Sequence, residues 1–356
     1  VLKFGGTSVG TIKRINNISK IIVSYLKKRF KIIVVTSAMS GATNKLIKKS
    51  KQISDKFNDS EYDVLVSSGE QISCSLIAAK LSHLGYKSKS YLGWQVPIVT
   101  DNAHKSAKII SIGKKVLINY LRQDGVPIVA GFQGISLDGR ITTLGRGASD
   151  YTAIMISKYF KAKKCIIYTD VEGVMTTDPR IYRKAKKIKE ISYEEMLEMS
   201  SLGSKVMQSN SVQDARLSRV NIDVRSSLIK SKGTLIKKKK NVRQNNVIRG
   251  ISSTTNDAKV TLVGVKDKPG VAASIFERLS TNNINVDMVV KNISPNKVDT
   301  DVTFTVKKDD LNKTKKLTKN NKRIKFRKVL IDDKVSKVSI IGVGMITTPG
   351  VTYRMF

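Results

Sequence analysis

Cysteines, acidic residues, aromatic residues and long apolar runs are all scarce in this chain of 356 residues. The two cysteines, Cys74 and Cys165, lie far apart in apolar settings, so they build neither a disulfide framework nor a metal site of the usual spacing. No apolar stretch approaches the roughly 18 residues that a membrane span requires. We therefore expect a protein of the reducing cytoplasm that has no membrane partner.

The shortage of acidic residues, 28 against 65 lysines and arginines, leaves a formal net charge of +37. Such an excess is typical of proteins that bind nucleic acids. Here the lysines are spread over almost every predicted helix among many Asn and Ile residues, and all three have codons made of A and T. Aromatic residues, which stack on single strands, make up only 6% of the chain. We therefore expect no nucleic-acid partner, although the charge favours the approach of ATP and acidic substrates.

The first 230 residues alternate between predicted strands and predicted helices. Short apolar runs rich in β-branched residues predict buried strands at 32–35, 63–67, 126–130 and 165–168. Apolar residues recur at helical spacing over 12–26 and 72–81. This alternation predicts an α/β domain with a mostly parallel sheet between two layers of helices. Ligands of such sheets bind at the carboxyl ends of the strands.

The last third of the chain contains an internal repeat. Segments 259–276 and 337–356 share a strand ending in Gly-Val, a Pro-Gly-Val turn and a Phe in the following helix. The first copy continues as helix Ser274–Asn282 and two strands, whereas the second stops inside its first helix, so we expect a fragment of a longer protein. The predicted divisions are an α/β domain at 1–230, a linker at 231–250, a first α+β module at 251–330 and the start of a second at 331–356.

Three segments, 1–10, 142–150 and 168–180, each contain a glycine loop that follows a short apolar run. Glycine allows the backbone to approach a ligand closely, so these loops predict a site that holds a polyanion with N–H groups. Neither the G-x-x-x-x-G-K-[ST] loop nor a G-x-G-x-x-G fingerprint after the first strand is present. Lys3 precedes Gly5 and Gly6, and the run SSGEQ is predicted to place Glu70 at a strand-to-helix turn.

Seven motifs in order resemble the aspartate kinases (aspartokinases) of the amino-acid kinase family. They are KFGGTSVG, SAMSGATN, SSGEQ, AGFQG, TTLGRGASD, YTDVEGVMTTDPR and EMLEMSSLGSKV. The resemblance is colinear over nearly the whole chain and extends into tandem ACT-type regulatory domains. It implies a three-layer α/β/α kinase domain followed by ferredoxin-like α+β ACT domains, the second of them truncated.

The resemblance implies transfer of the γ-phosphoryl group of ATP to the β-carboxylate of L-aspartate. The product, 4-phospho-L-aspartate, opens the lysine, threonine and methionine branch of biosynthesis. A carboxylate is already ionised at neutral pH, so no general base is needed. Catalysis then depends on positioning and on neutralising charge with lysines, backbone amides and Mg²⁺, which would be held by the ATP phosphates rather than by protein ligands.

The resemblance also implies roles for individual residues. Catalytic roles fall on Lys3, Asp150 and Lys205. Substrate binding falls on Ser37, Thr43, Glu70, Arg146 and Ser149, with Glu70 on the α-ammonium group and Arg146 on the α-carboxylate. ATP binding falls on Lys3, Phe4, Gly5, Gly6, Thr169, Asp170, Met175, Asp178, Arg180, Lys205 and Val206. Effector binding, by lysine, threonine or both, falls on Asp267, Val271, Ala272, Asn285 and Asp287. The ACT domains are expected to join the chains as a homodimer or a higher oligomer.

Two residues depart from the family pattern. Ala148 stands where the family usually has glycine, and it would cost about 1 kcal/mol or more if that position required a positive φ. Met175 stands where a tyrosine commonly lines the nucleotide site. Neither change touches a charged group, so we expect activity to persist with shifted affinities.

Simpler interpretations exist for several of these residues. Glu70 is also explained as an acid in the first turn of a helix, Asp178 as a turn residue before proline, and Thr43 as part of a helix cap. His83 and His104 are predicted to be surface residues. Three alternative functions remain open: a kinase for another small acidic substrate, a non-catalytic amino-acid-sensing subunit and a nucleic-acid-binding protein.

Overall fold

The fold is described here from a computed structural model that covers residues 1–145, 147–204, 206–238, 247–266, 268–293, 299–319, 324–342, 345 and 348–355. The helices are α1 Ile12–Leu26, α2 Ala42–Ile53, α3 Asp59–His83, α4 Lys115–Arg122, α5 Ala148–Tyr159, α6 Tyr193–Ser201, α7 Ser209–Ser218, α8 Val271–Ser280, α9 Leu311–Lys319 and α10 Val351–Met355. The first nine strands are β1 Leu2–Phe4, β2 Val34–Thr36, β3 Ser88–Tyr91, β4 Ile98–Thr100, β5 Ile109–Ile112, β6 Val126–Ala130, β7 Gln133–Ser136, β8 Ile141–Thr143 and β9 Cys165–Thr169. The later strands are β10 Glu190–Ser192, β11 Ile222–Ser226, β12 Thr234–Lys237, β13 Gly250–Thr254, β14 Asp257–Lys266, β15 Val289–Ile293, β16 Asp299–Lys307, β17 Lys328–Asp332 and β18 Lys337–Ile341. The chain divides into two compact units, Val1–Gly250 with Ile340–Phe356, and Ile251–Ser339.

The first unit is built on an eight-stranded sheet with the order β10-β12-β11-β9-β1-β2-β6-β3. Its neighbouring strands are parallel except for the antiparallel pair β11 and β12. A second sheet in the same unit has the order β5-β4-β7-β8. The mostly parallel sheet predicted from the sequence is therefore confirmed.

Side chains alternate between the two faces of the main sheet and bury two separate cores. On one face Leu2, Val34 and Ile166 pack with residues of α1 and α3. On the other face Val35 and Ile167 pack with residues of α4, α5, α6 and α7. Successive residues of a strand point to opposite faces, so a sheet with helices on both sides must be apolar throughout. This arrangement is the predicted three-layer α/β/α architecture.

Strand β12 lies inside the segment 231–250 that we predicted to be a linker. It pairs with β10 in parallel and with β11 in antiparallel orientation, so this part of the prediction is wrong. Thr234 and Ile236 alternate with more exposed residues and are fully buried. The adjacent lysine run masked this short alternating pattern in the sequence.

The predicted strand 63–67 is also wrong, because these residues lie in helix α3, which has 25 residues. The run DVLVS is rich in β-branched residues, which favoured a strand. The buried face of α3 instead follows positions three and four apart, including Asp63, Val66, Ser67, Glu70 and Ser73. Glu70 therefore lies in the middle of a helix and not at a strand-to-helix turn.

The second unit has a four-stranded antiparallel sheet with the order β15-β16-β14-β17. Phe304 and Leu262 from this sheet and Ile275 and Leu279 from α8 form its core. This is an α+β arrangement, as predicted for the first module. The repeated turns are also alike, because Gly270 and Gly350 have φ values of 84° and 83° and immediately precede α8 and α10. None of the helices in the described parts of the chain is long and apolar enough to cross a membrane.

Candidate active site

The loops that follow β1, β2 and β9 lie at one edge of the main sheet. Phe4 is paired with both Thr36 and Tyr168, so the next residues of each strand lie side by side. At Gly6 a Cβ atom would lie 2.8 Å from the carbonyl oxygen of Ala38, so only glycine fits there without a shift. The Gly5 amide, which we expected to bind phosphate, donates instead to the carbonyl of Tyr168 at 3.0 Å. That donor is engaged in extending the sheet, so it is not free to bind phosphate in this structure, and the role of Gly5 in ATP binding stays a prediction.

Lys3 and Asp150 form an ion pair beside these loops. The Lys3 Nζ atom lies 2.6 Å from Asp150 Oδ1, and each side chain is about one-tenth exposed. Lys3 comes from β1, while Asp150 lies in the first turn of α5, whose N-cap is Gly147. Carboxylates are favourable at a helix N-terminus because of its exposed N–H groups and dipole. The pair therefore fixes an ammonium group at the sheet edge, where little water screens it.

Glu70 is a second buried charge at the same edge. Its side chain is 4% exposed, and its Oε1 accepts a hydrogen bond from the Ala38 amide at 3.0 Å. Burial raises the pKa of Glu70 from 4.5 to about 7, against the opposing effects of the Ala38 amide and Lys3. Its Oε2 atom is buried and has no hydrogen-bond partner within the described residues. A carboxylate with a free buried oxygen is suited to accept a cationic group from a ligand.

A cavity of about 440 Å³ connects these groups. Its lining includes six of the predicted site residues, namely Lys3, Gly6, Ser37, Thr43, Glu70 and Ser149. Thr43 lies in the first turn of α2, and Ser149 in the first turn of α5. Arg146 and Lys205 lie outside the described residues. The glycines on either side of position 146, Gly145 and Gly147, both line the cavity.

The remaining residues predicted to bind ATP are not brought to this cavity. Among the described residues, its lining does not include Phe4, Gly5, Thr169, Asp170, Met175, Asp178, Arg180 or Val206. Thr169 ends β9, and its hydroxyl donates to Asp170 at 3.1 Å. Arg180 donates to both carboxylate oxygens of Asp178, with Nε 3.0 Å from Oδ1 and Nη2 2.6 Å from Oδ2. Their role in nucleotide binding stays a prediction.

The backbone at Ala148 does not carry the strain that we considered. Ala148 is the first residue of α5, and the left-handed position belongs to Gly147, with a φ of 75°. A Cβ atom at Gly147 would lie 2.3 Å from the Cγ atom of Gln208. Glycine is therefore required at 147, whereas an alanine at 148 fits the helix.

The cavity also includes residues that the sequence interpretation missed, among them Tyr62, Lys105, Phe132 and Gln208. His104, predicted at the surface, is partly buried, and its Nδ1 atom lies 2.7 Å from Oδ2 of the fully buried Asp63. The prediction for His104 is therefore wrong. Asp63 and Glu70 are seven residues apart on α3, which places them on one helix face. The seven-residue spacing of Asp63 and Glu70 places two residues on one face only in a helix. Because the segment 63–67 was predicted to be a strand, this signal was not used.

The predicted effector residues belong to the second unit. Asp267 lies outside the described residues. Val271 and Ala272 open α8, and Asn285 and Asp287 are exposed just before β15. Asp287 pairs with Lys337. Effector binding at these positions stays a prediction.

Comparisons with known proteins agree with this architecture. A sequence model described as "Amino acid kinase family" matches residues 1–226, and one described as "ACT domain" matches residues 260–320. The chain is 44% identical to "Aspartate kinase" of Pseudomonas putida, over 100% of this chain and 87% of that protein. It is 41% identical to "Aspartokinase" of Geobacillus stearothermophilus, over 100% of this chain and 86% of that protein.

Two solved structures of E. coli aspartokinase III are similar to the chain. One is the complex with aspartate and ADP in the R-state, with a TM-score of 0.78 and 25% identity over 100% of this chain and 90% of that chain. The other is the complex with lysine and aspartate in the T-state, with a TM-score of 0.79 and 26% identity over 96% of this chain and 86% of that chain.

Proposed function

This chain belongs to the amino acid kinase family, and we infer that it is an aspartate kinase with an ACT regulatory domain. It transfers the γ-phosphoryl group of ATP to the β-carboxylate of L-aspartate. The observation that carries this assignment is the cavity, which is lined by the ammonium group of Lys3 and the carboxyl group of Glu70. Both residues are buried from solvent. A zwitterionic acceptor that bears one further carboxylate matches these charges.

The acceptor is oriented by charge before any bond changes. The free Oε2 oxygen of Glu70 is available to the α-ammonium group, and Ser37, Thr43 and Ser149 offer hydroxyls along the wall of the cavity. In this scheme the α-carboxylate is bound by Arg146. The acceptor carboxylate is already ionised and attacks the γ-phosphorus directly, while the bond to the ADP oxygen breaks.

Lys3 neutralises charge on the transferring group. Its partner Asp150 fixes the ammonium position in advance, so little reorganisation accompanies the reaction. Lys205 is assigned the same task from the nucleotide side. Gly6 allows the loops after β1 and β2 to pack closely, since a Cβ atom there would lie 2.8 Å from the carbonyl oxygen of Ala38. We assign Gly6 to the ATP phosphates. Thr169, Asp170, Met175, Asp178, Arg180 and Val206 are assigned to the nucleotide.

We assign Mg²⁺ to the phosphates of the incoming ATP. No group of three or more His, Cys, Asp or Glu side chains that could hold a metal ion occurs within the described part of the chain. Mg²⁺ is held well by phosphate oxygens with few protein ligands, so we assign its ligands to the phosphates. When bound, the ion supplies further neutralisation of phosphate charge.

The second unit is assigned to feedback control. A T-state structure of a similar enzyme contains lysine, which makes lysine the first effector to test on this chain, with threonine as the second. Val289 and Val290 are exposed on β15, an edge strand of the described sheet, and such an edge is suited to pairing with a second copy. We assign a homodimer or higher oligomer to this surface. A cytoplasmic location fits the use of ATP and the two free thiols.

The decisive experiment measures the release of ADP from ATP with aspartate as acceptor, and separately with glutamate or UMP in its place. We expect turnover with aspartate alone, and loss of turnover when Mg²⁺ is removed by a chelator. Turnover with glutamate or UMP in place of aspartate would contradict the assignment. Binding of lysine without turnover would identify a sensing subunit instead.

A further inference from the structure

The fully buried carboxylate of Asp63 holds two parts of the cavity wall together. Its oxygens accept from His104 Nδ1 at 2.7 Å, from the Lys105 amide at 3.1 Å and from the Thr143 hydroxyl at 2.5 Å. Thr143 ends β8, directly before Leu144 and Gly145. Buried carboxylates with several hydrogen bonds of this kind fix the geometry of the groups that they bind.

The segment that carries Lys105 lies against Thr143 and Gly145. The Ala107 amide donates to the carbonyl of Thr143 at 2.9 Å. At Gly145 a Cβ atom would lie 3.5 Å from the carbonyl oxygen of Lys105. His104, before Lys105, is therefore bound to Asp63, and Ala107, after it, is bound to β8. These two contacts fix the backbone position of Lys105.

Lys105 itself occupies an unusual backbone conformation for a lysine. Its φ is 67°, in the left-handed region that favours Gly or Asn. Local backbone preference gives no reason for lysine at this position. Its side chain lines the cavity with Lys3 and Glu70, and its ammonium group lies 5.0 Å from the centre of the Tyr62 ring and is paired with Asp59.

We propose that Lys105 is a further substrate-binding residue, whose ammonium group exchanges Asp59 for a carboxylate of the bound acceptor. Asp63 and His104 act as positioning residues that present it. The inference rests on the proposed function, because it requires an acidic acceptor in this cavity. Lys105 and Asp59 are 42% and 58% exposed, so their pair is weak and can be replaced by a ligand carboxylate.

The test compares Lys105→Asn with wild type in the aspartate-dependent assay. Asn tolerates the left-handed backbone and removes the ammonium group together with most of its aliphatic stem, as it also does in the control at Lys108. We expect the KM for aspartate to rise about threefold to fivefold, the range of a solvent-exposed charge pair, with kcat and the KM for ATP within about twofold. Lys105→Arg should restore the wild-type KM. Lys108→Asn, which removes a positive charge from the same segment outside the cavity lining, is the matched control.

Two further variants separate the positioning role from the binding role. Asp59→Asn should lower the KM for aspartate, because it removes the competing carboxylate. In an Asp63→Asn background Lys105→Asn should raise the KM for aspartate by a smaller factor, since Asp63 no longer holds Lys105 in position at the cavity. An unchanged KM in Lys105→Asn, or an equal rise in Lys108→Asn, would overturn the inference while wild-type turnover keeps the proposed function intact. Absence of wild-type turnover with aspartate would overturn both.

Discussion

The acceptor side and the nucleotide side of the site differ in how their residues are held. On the acceptor side Glu70 and Ser149 come from α3 and α5, and Lys3 of β1 lines the same cavity, where we assign it to the transferring phosphoryl group. Buried contacts hold both Lys3 and Glu70 in place without a ligand. On the nucleotide side Asp178 and Arg180 lie outside the regular elements, and the Arg180 side chain is 77% exposed. The cavity that we assign to the acceptor is thus preorganised by the fold, whereas we expect the assigned nucleotide contacts to form on binding.

This difference predicts the size of each substitution effect. A charge that is fixed at low exposure acts through a weakly screened field, whereas an exposed charge is screened by water and salt. We therefore expect large effects on the acceptor side and small effects on the nucleotide side. Three substitutions test this ordering, beginning with the largest expected effect.

Lys3→Met should reduce kcat about a thousandfold, as loss of a preorganised charge on the transferring group does in other enzymes. Because the substitution also leaves Asp150 buried without its partner, a loss of stability must be separated from a loss of catalysis. The double variant Lys3→Met, Asp150→Asn removes both charges and should recover the thermal stability but not the turnover. Lys13→Met, at an exposed position of α1, is the control. Turnover in the double variant within tenfold of wild type would contradict the assignment.

Glu70→Gln should raise the KM for aspartate about tenfold or more, because a charge-assisted hydrogen bond to the α-ammonium group is lost. The same change should stabilise the free protein above pH 7. The raised pKa of Glu70, about 7 against 4.5, means that the folded chain keeps a proton that the unfolded chain has released, so stability falls as pH rises between these values. Above pH 7 the buried Glu70 carboxylate therefore lowers the free energy of unfolding of the wild type by roughly 3 kcal/mol, which corresponds to about 5–10 °C in Tm.

Two pH profiles check this prediction. In wild type the KM for aspartate should decrease as pH rises through about 7, since binding needs the ionised Glu70. In Glu70→Gln that decrease should disappear, and the melting temperature should lose its fall between pH 5 and pH 7. A variant that melts below wild type at pH 8 would show that the carboxylate stabilises the fold and does not serve the substrate.

The same contrast explains how far the sequence could be interpreted. Strand β6 matches the predicted range 126–130, because a short apolar run that is buried along its whole length is typical of a central strand in a parallel sheet. Helix α3 was missed in part because its buried face includes Asp63, Ser67 and Glu70, whose burial depends on partners distant in the chain. His104 was misplaced for the same reason, since Asp63 is 41 residues away. Polar residues are buried only where tertiary contacts satisfy them, and no local pattern records those contacts.

The roles of the site residues were available only through resemblance. Parallel pairing of β1, β2 and β9 predicts that Lys3 and Ser37 lie at one edge, and the structure places both in one cavity. Nothing in the sequence indicated that the Gly5 amide would be engaged by Tyr168. The backbone donors that remain free after folding depend on neighbouring strands, so glycine content alone overestimates a phosphate site.

Arg180→Ala should have the smallest effect and defines the other end of the comparison. If Arg180 and Asp178 hold the nucleotide, the KM for ATP should rise about twofold to fivefold, the range of an exposed charge pair, and the KM for aspartate should not change. Added salt should narrow the difference between variant and wild type, because exposed charges are screened. Arg183→Ala, an exposed arginine three residues away, is the matched control. A hundredfold rise in the KM for ATP would show that Arg180 becomes buried when the nucleotide binds. The difference in exposure between the two sides would then hold only for the protein without ligand.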